Sequence, residues 1–172
     1  CRKFVQGVLR SLDGQPAGTV IISMSPKYWI GTHAEDALKV NPLGSELSEI
    51  ASEIVRSGHE VLFVRPTPVW IGDYPFVPKR CSLRAIWKEK CRQSVAQVTA
   101  EKDQSLLWEA MKLAAVQTGA TVWNSWDHVC ADGICATHDG VDVSYRDETH
   151  ISVIQSLKLA DALSGVIQSD HG

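Results

Sequence analysis

A carboxylate and an imidazole, Asp147 and His150, stand three residues apart in this chain. They lie between a short apolar stretch, Val141 to Tyr145, and a run with helical spacing, Ile151 to Ile167, which predicts a turn that leads into a helix. At this spacing the carboxylate can hold one ring nitrogen while the other takes the proton of a hydroxyl nucleophile. The pair therefore fits two members of a hydrolytic triad. The alternative is structural: Asp147 caps the helix with its side chain, and His150 is a solvated residue of the first turn.

The cysteines indicate disulfides. Cys130 and Cys135 share one loop, Cys81 and Cys91 stand ten positions apart, and Cys1 is left unmatched. We predict bridges within the first two pairs and expect Cys1 to bond to a cysteine upstream of residue 1. A bridge across the short loop stabilises the fold by about 2 kcal/mol and implies an oxidising compartment. The alternative is ordinary buried thiols.

Metal and cofactor sites are not predicted. The chain has no C-x-x-C, and His128 and His138 flank the cysteine loop without a second pair of zinc ligands at the usual spacing. No glycine-rich phosphate loop follows a strand, which argues against a cytosolic nucleotide-binding domain. We therefore expect no metal and no cofactor.

Several segments together resemble a known family. The Cys130 to Cys135 loop, Asp139-Gly140-Val141, and the segment from Tyr145 to Ser152 follow one another as in the closing block of SGNH-type hydrolases. The chain most resembles the extracytoplasmic SGNH domain attached to type 3 membrane acyltransferases, in which a close Cys pair and a short strand precede a Tyr-Arg-Asp-x-x-His-hydrophobic-Ser segment and a final helix. The segment from Thr19 to Ser23, with Trp29 behind it, and the segment from Pro75 to Leu83 are similar to other parts of that domain.

The resemblance implies a Ser-His-Asp triad in which His150 is the base and Asp147 orients it. The family's nucleophile stands in a Gly-Asp-Ser motif after the first strand, and the 172 residues contain no such motif. We expect the nucleophile, the first strand and any targeting sequence to lie upstream of residue 1. The resemblance also implies that Trp29 contacts substrate near the cleft.

The resemblance further implies the substrates and the compartment. The acyl group is expected to be small, often acetyl, and the acceptor a cell-envelope or exported glycan or glycolipid. A membrane-embedded acyltransferase part of the same protein would deliver the acyl donor. The domain is then extracytoplasmic and tethered to the membrane through upstream sequence.

Length and composition frame these expectations. The chain has 172 residues, 44% of them hydrophobic, and a net charge of -3. That is enough for one domain with a single core over residues 1–172, incomplete at its N-terminus. No apolar run approaches the eighteen or more residues of a membrane span, and the scattered basic residues argue against a nucleic-acid partner.

Strands and helices alternate along the chain, which predicts parallel pairing. The class is therefore α/β, and the resemblance refines it to a three-layer α/β/α sandwich of the flavodoxin-like SGNH type, with a mostly parallel sheet whose first strand is missing from these residues. A proline-rich loop, 66–80, follows one strand at a position where such sheets bind ligands. The predicted strands are Thr19 to Ser23, Glu60 to Arg65 and Ala120 to Trp123, and the predicted helices lie near residues 2–9, 43–55, 83–92, 99–117 and 151–167. The first helix is predicted to carry an apolar side, and the last to turn an apolar face inward; these are Phe4, Val5, Val8 and Leu9, and Ile154, Leu157, Ala160, Leu163 and Ile167.

Two functions from different classes are open at this point. One is an acyltransferase or esterase domain that uses the triad. The other is a non-catalytic extracytoplasmic module of the same fold, which would bind carbohydrate through aromatic loops. The histidines other than His150 are expected at the surface or in loops, and each tryptophan other than Trp29 is expected in the core or at its rim.

Overall fold

The computed structural model describes residues 2–26, 39–73, 75–78 and 91–169. These residues form two compact units. The prediction of one domain over 1–172 stays a prediction. The described residues of the first unit are 2–24, 39–65 and 105–123, and those of the second are 25–26, 66–73, 75–78, 91–104 and 124–169.

In the described residues helices and strands largely alternate up to Trp123, as predicted, and four short strands then follow one another before the last helix. The helices are α1 (Arg2–Leu12), α2 (Val40–Arg56), α3 (Gln97–Thr118) and α4 (Val153–Ser169), with a short 3₁₀ helix at Ser125–His128. The strands are β1 (Thr19–Ile22), β2 (Glu60–Val64), β3 (Ser94–Ala96), β4 (Thr121–Trp123), β5 (Cys130–Ala131), β6 (Ile134–Ala136), β7 (His138–Asp139) and β8 (Asp142–Val143). None of the helices in this described part has the length and apolarity that a membrane crossing requires.

The first unit contains a parallel sheet in the order β1-β2-β4. Val20 pairs with Val61, and Phe63 pairs with Val122, so β2 is the central strand. The central strand is a short apolar run whose Val61, Leu62 and Phe63 are buried, as expected for a strand covered on both faces. The predicted α/β class with a mostly parallel sheet is confirmed.

Helix α2 packs on this sheet because its apolar residues recur at helical spacing. Leu43, Leu47, Ala51 and Ile54 are all buried, and the helix contacts β2. A Cβ at Gly44 would lie 2.7 Å from Cδ2 of Leu113 on α3. The glycine therefore permits the close approach of the two helices.

The second unit contains a small antiparallel sheet, β3-β6-β5, and the hairpin β7-β8. The turn between β5 and β6 is Asp132-Gly133, with φ of 51° and 74°. Positive φ at both central residues is the type I′ geometry that Asp-Gly favours in two-residue hairpins. This turn sets Cys130 directly opposite Cys135. The core beside the sheet consists of Trp70, Phe76, Ala100, Trp126, Cys130, Cys135 and Tyr145.

The structure corrects several predictions. Helix α4 begins at Val153 rather than Ile151. The predicted inward residues Ile154 and Leu157 are 47% and 62% exposed, whereas Gln155 and Leu159 are buried. The buried face is thus turned from the predicted one, since the helix packs against the hairpin and 3₁₀ segment through other positions.

One prediction about an individual side chain was also wrong. Phe4, predicted on the same apolar side of α1 as Leu9, is 76% exposed, while Leu9 is buried. His59 lies in the loop before β2, within the expectation of a surface or loop position, but it is 6% exposed, and its Nε2 lies 3.2 Å from the carbonyl oxygen of Leu12. The predicted core placement of tryptophans is confirmed for Trp70, Trp123 and Trp126. The strand β3 had not been predicted.

Candidate active site

Asp147 and His150 lie on a loop of five residues, 146–150, that a β-bridge closes at its base. The bridge pairs Tyr145 with Ile151, and the Arg146 N–H donates to the His150 carbonyl at 2.8 Å. Tyr145 is fully buried, so the base of the loop is fixed in the core. The same burial raises the pKa of its phenol. The side chains of Asp147 and His150 are therefore held by a closed turn and not by a free segment.

The N-terminus of α4 is capped by Ser152. Its Oγ accepts a hydrogen bond from the Gln155 N–H at 3.2 Å, the usual geometry of a serine N-cap. Asp147 lies five residues earlier and caps no helix. The structural alternative for Asp147 is thus wrong, because a better-placed serine fills that role.

The Asp147 carboxylate faces the imidazole of His150. Both carboxylate oxygens lie 2.9 Å from Nδ1. Oδ1 also accepts the backbone N–H groups of Thr149 and His150, each at 2.9 Å, and the Thr149 hydroxyl at 3.2 Å. The predicted contact between Asp147 and His150 is confirmed.

These contacts determine the charge of Asp147. Burial alone would raise the pKa of the carboxyl, but the backbone N–H of Thr149, the ring of His150 and the backbone N–H of His150 all stabilise the charged form. The pKa falls from 3.8 to about 2. Asp147 is therefore a carboxylate at neutral pH and at most acidic pH values.

The second nitrogen of His150 is open to a reactant. The side chain of His150 is 72% exposed, compared with 37% for Asp147. Within the described residues Nε2 has no hydrogen-bond partner. A carboxylate on Nδ1 selects the tautomer with its proton there, which leaves Nε2 as a proton acceptor. The arrangement can take a proton from a hydroxyl group and return it.

The loop is anchored to the segment that follows β2. The Trp70 N–H donates to the Glu148 carbonyl at 2.7 Å, and the ring of Trp70 meets that of Tyr145 edge to face at 5.5 Å. The preceding residue, Val69, is held by the amide of Gln104, which accepts from its N–H at 2.9 Å and donates to its carbonyl at 3.0 Å. These contacts position the loop through its backbone.

Sequence reasoning missed these supporting residues. Gln104 is 5% exposed in the middle of an apolar helix face, and a polar residue at such a position is the signal that could have identified it. The docking of Trp70 on Glu148 has no sequence signal, because it joins backbone atoms of distant segments.

The predicted disulfides fall partly within the described residues. Cys130 and Cys135 are bonded, with an S–S distance of 2.02 Å, so that prediction is confirmed. Cys91 is disulfide-bonded, and its predicted partner, Cys81, lies outside the described residues. Cys1 and Trp29, the predicted substrate contact, also lie outside them. No group of three or more His, Cys, Asp or Glu side chains in the described ranges is arranged to hold a metal ion.

Comparison with known proteins identifies the family of the chain. Neither the curated proteins nor the solved structures give a match. A family model described as "SGNH domain (fused to AT3 domains)" matches residues 1–164, which is nearly the whole chain and includes the Asp147 loop. SGNH domains are hydrolases of esterase and acyltransferase type. The chain therefore belongs to the family of SGNH domains that are fused to AT3 domains.

Proposed function

We propose that this chain is the SGNH part of an O-acyltransferase or esterase in which Asp147 and His150 complete a Ser-His-Asp triad. The observation that carries the proposal is the contact of both Asp147 carboxylate oxygens with Nδ1 of His150 at 2.9 Å, with Nε2 left exposed. The serine is proposed to lie upstream of residue 1, since the family's Gly-Asp-Ser motif does not occur in the 172 residues.

In the proposed reaction the serine oxygen attacks the carbonyl carbon of an acyl donor while Nε2 of His150 takes the serine proton. The resulting imidazolium is stabilised by the Asp147 carboxylate, which the low pKa keeps charged. His150 then gives the proton to the leaving oxygen, and an acyl-serine remains. An acceptor hydroxyl attacks this ester in the second half-reaction, with His150 again taking and returning a proton. Water in place of the acceptor makes the same chemistry a hydrolysis.

The proposed acyl group is small, most simply acetyl, and the proposed acceptor is a cell-envelope or exported glycan or glycolipid. Fusion of this family to AT3 domains supports a membrane-embedded acyltransferase part as the source of the acyl group. The Cys130–Cys135 disulfide supports an extracytoplasmic location, because such bonds persist in oxidising compartments. Trp29 is proposed to contact the substrate.

The experiment is an acyl-transfer assay on the full-length protein with His150→Ala. Transfer should be abolished, because no other described side chain stands beside the Asp147 carboxylate to accept the serine proton. A matched control is His128→Ala, which removes an imidazole outside the 146–150 loop and should leave the rate within a few-fold of wild type.

A fluorophosphonate probe tests the serine assignment separately. The full-length protein should be labelled on a serine upstream of residue 1, and a polypeptide of these 172 residues alone should not be labelled. Undiminished acyl transfer by His150→Ala would refute the catalytic role and favour a carbohydrate-binding module of the same fold. Stoichiometric labelling within the 172 residues would overturn the upstream serine.

A further inference from the structure

A small polar cleft lies in the second unit, between the disulfide hairpin β5-β6, the strand β7 and the first turns of α4. Its volume is about 190 Å³, equivalent to about six water molecules at ~30 Å³ each. This is below the ~300 Å³ at which pockets for drug-sized ligands begin. The cleft has room for one small molecule of the size of a single sugar ring.

Two polar side chains in the cleft wall are buried and unpaired. Ser144 is 5% exposed and Gln155 is 4% exposed. Across the described ranges neither the hydroxyl of Ser144 nor the side-chain amide of Gln155 makes a hydrogen bond, although their backbone groups do. Neither group is among the fully enclosed side-chain polar atoms that lack a hydrogen-bond partner, so the hydroxyl and the amide both keep some exposed surface. Both groups border the cleft, where a ligand can supply the missing partner.

The charges around the cleft favour a neutral ligand. Lys158 lies 2.8 Å from Asp139, also in the wall, and 3.6 Å from Asp142. A further carboxylate, Asp127, accepts a hydrogen bond from the Asn124 amide at 2.7 Å. The positive charge in the wall is therefore already neutralised by carboxylates, which disfavours an anion.

A bound metal ion is also disfavoured. No three potential metal ligands come together in the described part of the chain. His138 contributes a ring whose Nδ1 lies 2.9 Å from the Thr137 hydroxyl. Burial and then the positive charge of Arg92 lower the pKa of His138, so this ring is neutral at pH 7. The wall contains an amide, a hydroxyl, an imidazole and carboxylate oxygens. These groups can form hydrogen bonds with a ligand that carries both donors and acceptors.

We propose that this cleft binds a neutral, hydroxyl-rich molecule of the size of one sugar ring, held by the side-chain amide of Gln155 and the hydroxyl of Ser144. Gln155 lies in the first turn of α4, directly after the base of the Asp147 loop, and the Ser152 N–H donates to the Ser144 carbonyl at 2.9 Å. The cleft is distinct from the exposed face of His150, and binding in it requires no catalysis.

The test is a titration of the isotope-labelled full chain with glucose, galactose or N-acetylglucosamine, observed at the side-chain amide signals of glutamine. Sodium phosphate and calcium chloride serve as charged comparison probes. At least one sugar should shift the Gln155 amide with a millimolar Kd, as expected for a small ligand with few hydrogen bonds. Phosphate and calcium should not.

Variants then separate a binding role from a structural one. Gln155→Leu should weaken sugar binding about tenfold or more, and it should leave the melting temperature unchanged or raised, because an unpaired amide is replaced by an apolar group of similar size. Gln168→Leu makes the same change at an exposed position of α4 and should not alter binding. Ser144→Ala provides a second, smaller change with the same expected loss.

The proposal is overturned if no sugar shifts the Gln155 amide, or if Gln155→Leu and Ser144→Ala both bind as wild type does. A shift with phosphate or calcium alone would overturn the neutral class of ligand. Neither result would bear on the proposed triad, because binding is measured without acyl transfer.

Discussion

Replacing Asp147 by Asn tests how the carboxylate controls His150. The new amide oxygen can keep accepting the N–H groups of Thr149 and His150, which lie 2.9 Å from Oδ1, so the loop should keep its conformation. The amide nitrogen then takes the place of Oδ2, 2.9 Å from Nδ1. Two donors repel each other there, and Oδ1, which also lies 2.9 Å from Nδ1, already accepts three other hydrogen bonds, so we expect the ring to carry its proton on Nε2.

The expected magnitude follows from this change of tautomer. An imidazole protonated on Nε2 cannot accept the proton of a serine, and loss of a triad carboxylate lowers kcat about 10⁴-fold. That factor corresponds to about 5.4 kcal/mol of transition-state stabilisation at ~1.36 kcal/mol per tenfold. Ground-state binding should change little, since among the described residues Asp147 forms hydrogen bonds only within its own loop.

Two measurements check the prediction. Acyl transfer by the full-length Asp147→Asn protein gives the loss in kcat, and ¹⁵N shifts of the His150 ring in the 172-residue chain give the tautomer at neutral pH. Asp161→Asn, an exposed position on α4, is the matched control and should be silent in both. A kcat within tenfold of wild type, or a His150 ring still protonated on Nδ1, would refute the reasoning.

Three further predictions concern stability. Replacing both Cys130 and Cys135 by Ala should lower the free energy of unfolding by about 2 kcal/mol in urea titrations, the loop-entropy value for so short a bridge. Gln104→Met should lower it by about 2–4 kcal/mol and speed amide exchange at Val69, because the buried N–H and carbonyl of that residue lose their partners. The pKa of Asp147 is about 2 in the folded chain and ordinarily 3.8, so its stabilising contribution is complete above about pH 4 and is lost as the pH falls towards 2. The slope of unfolding free energy against pH in this window should be smaller in Asp147→Asn.

Each of these predictions has a control or a contrary result. Reducing agent should destabilise wild type by more than it destabilises the Cys130 and Cys135 double variant, which keeps the disulfide of Cys91. Gln168→Met, at an exposed position, should be neutral, and equal losses at Gln168 and Gln104 would contradict the role of the Val69 contacts. An unchanged pH slope in Asp147→Asn would show that the carboxylate titrates in the folded chain as it does in the unfolded one. Solvent screening keeps this last effect modest, because the side chain is 37% exposed.

The parts of the fold that could be predicted from the sequence are those with local signals. The strands near residues 19–22, 60–64 and 121–123 are short apolar or β-branched runs, and α2 and α3 show regular helical spacing. The face of α4 was predicted incorrectly, because apolar residues occur around much of that helix and only its neighbours decide which of them are covered. Strand β3 had no signal of its own, since its three residues become a strand only by pairing with β6.

The candidate site divides in the same way. The spacing of Asp147 and His150, the cysteine pair at 130 and 135, and the absence of Gly-Asp-Ser are properties of the sequence alone. The spacing alone suffices to predict a carboxylate beside an imidazole, because three residues of backbone limit how far apart the two side chains can be. The tertiary structure decided that Ser152 caps α4, that Trp70 holds the loop by its backbone, and that Ser144 and Gln155 share a cleft. Such contacts join segments that are distant in sequence or depend on which face of a helix is covered, and no local pattern of residues encodes them.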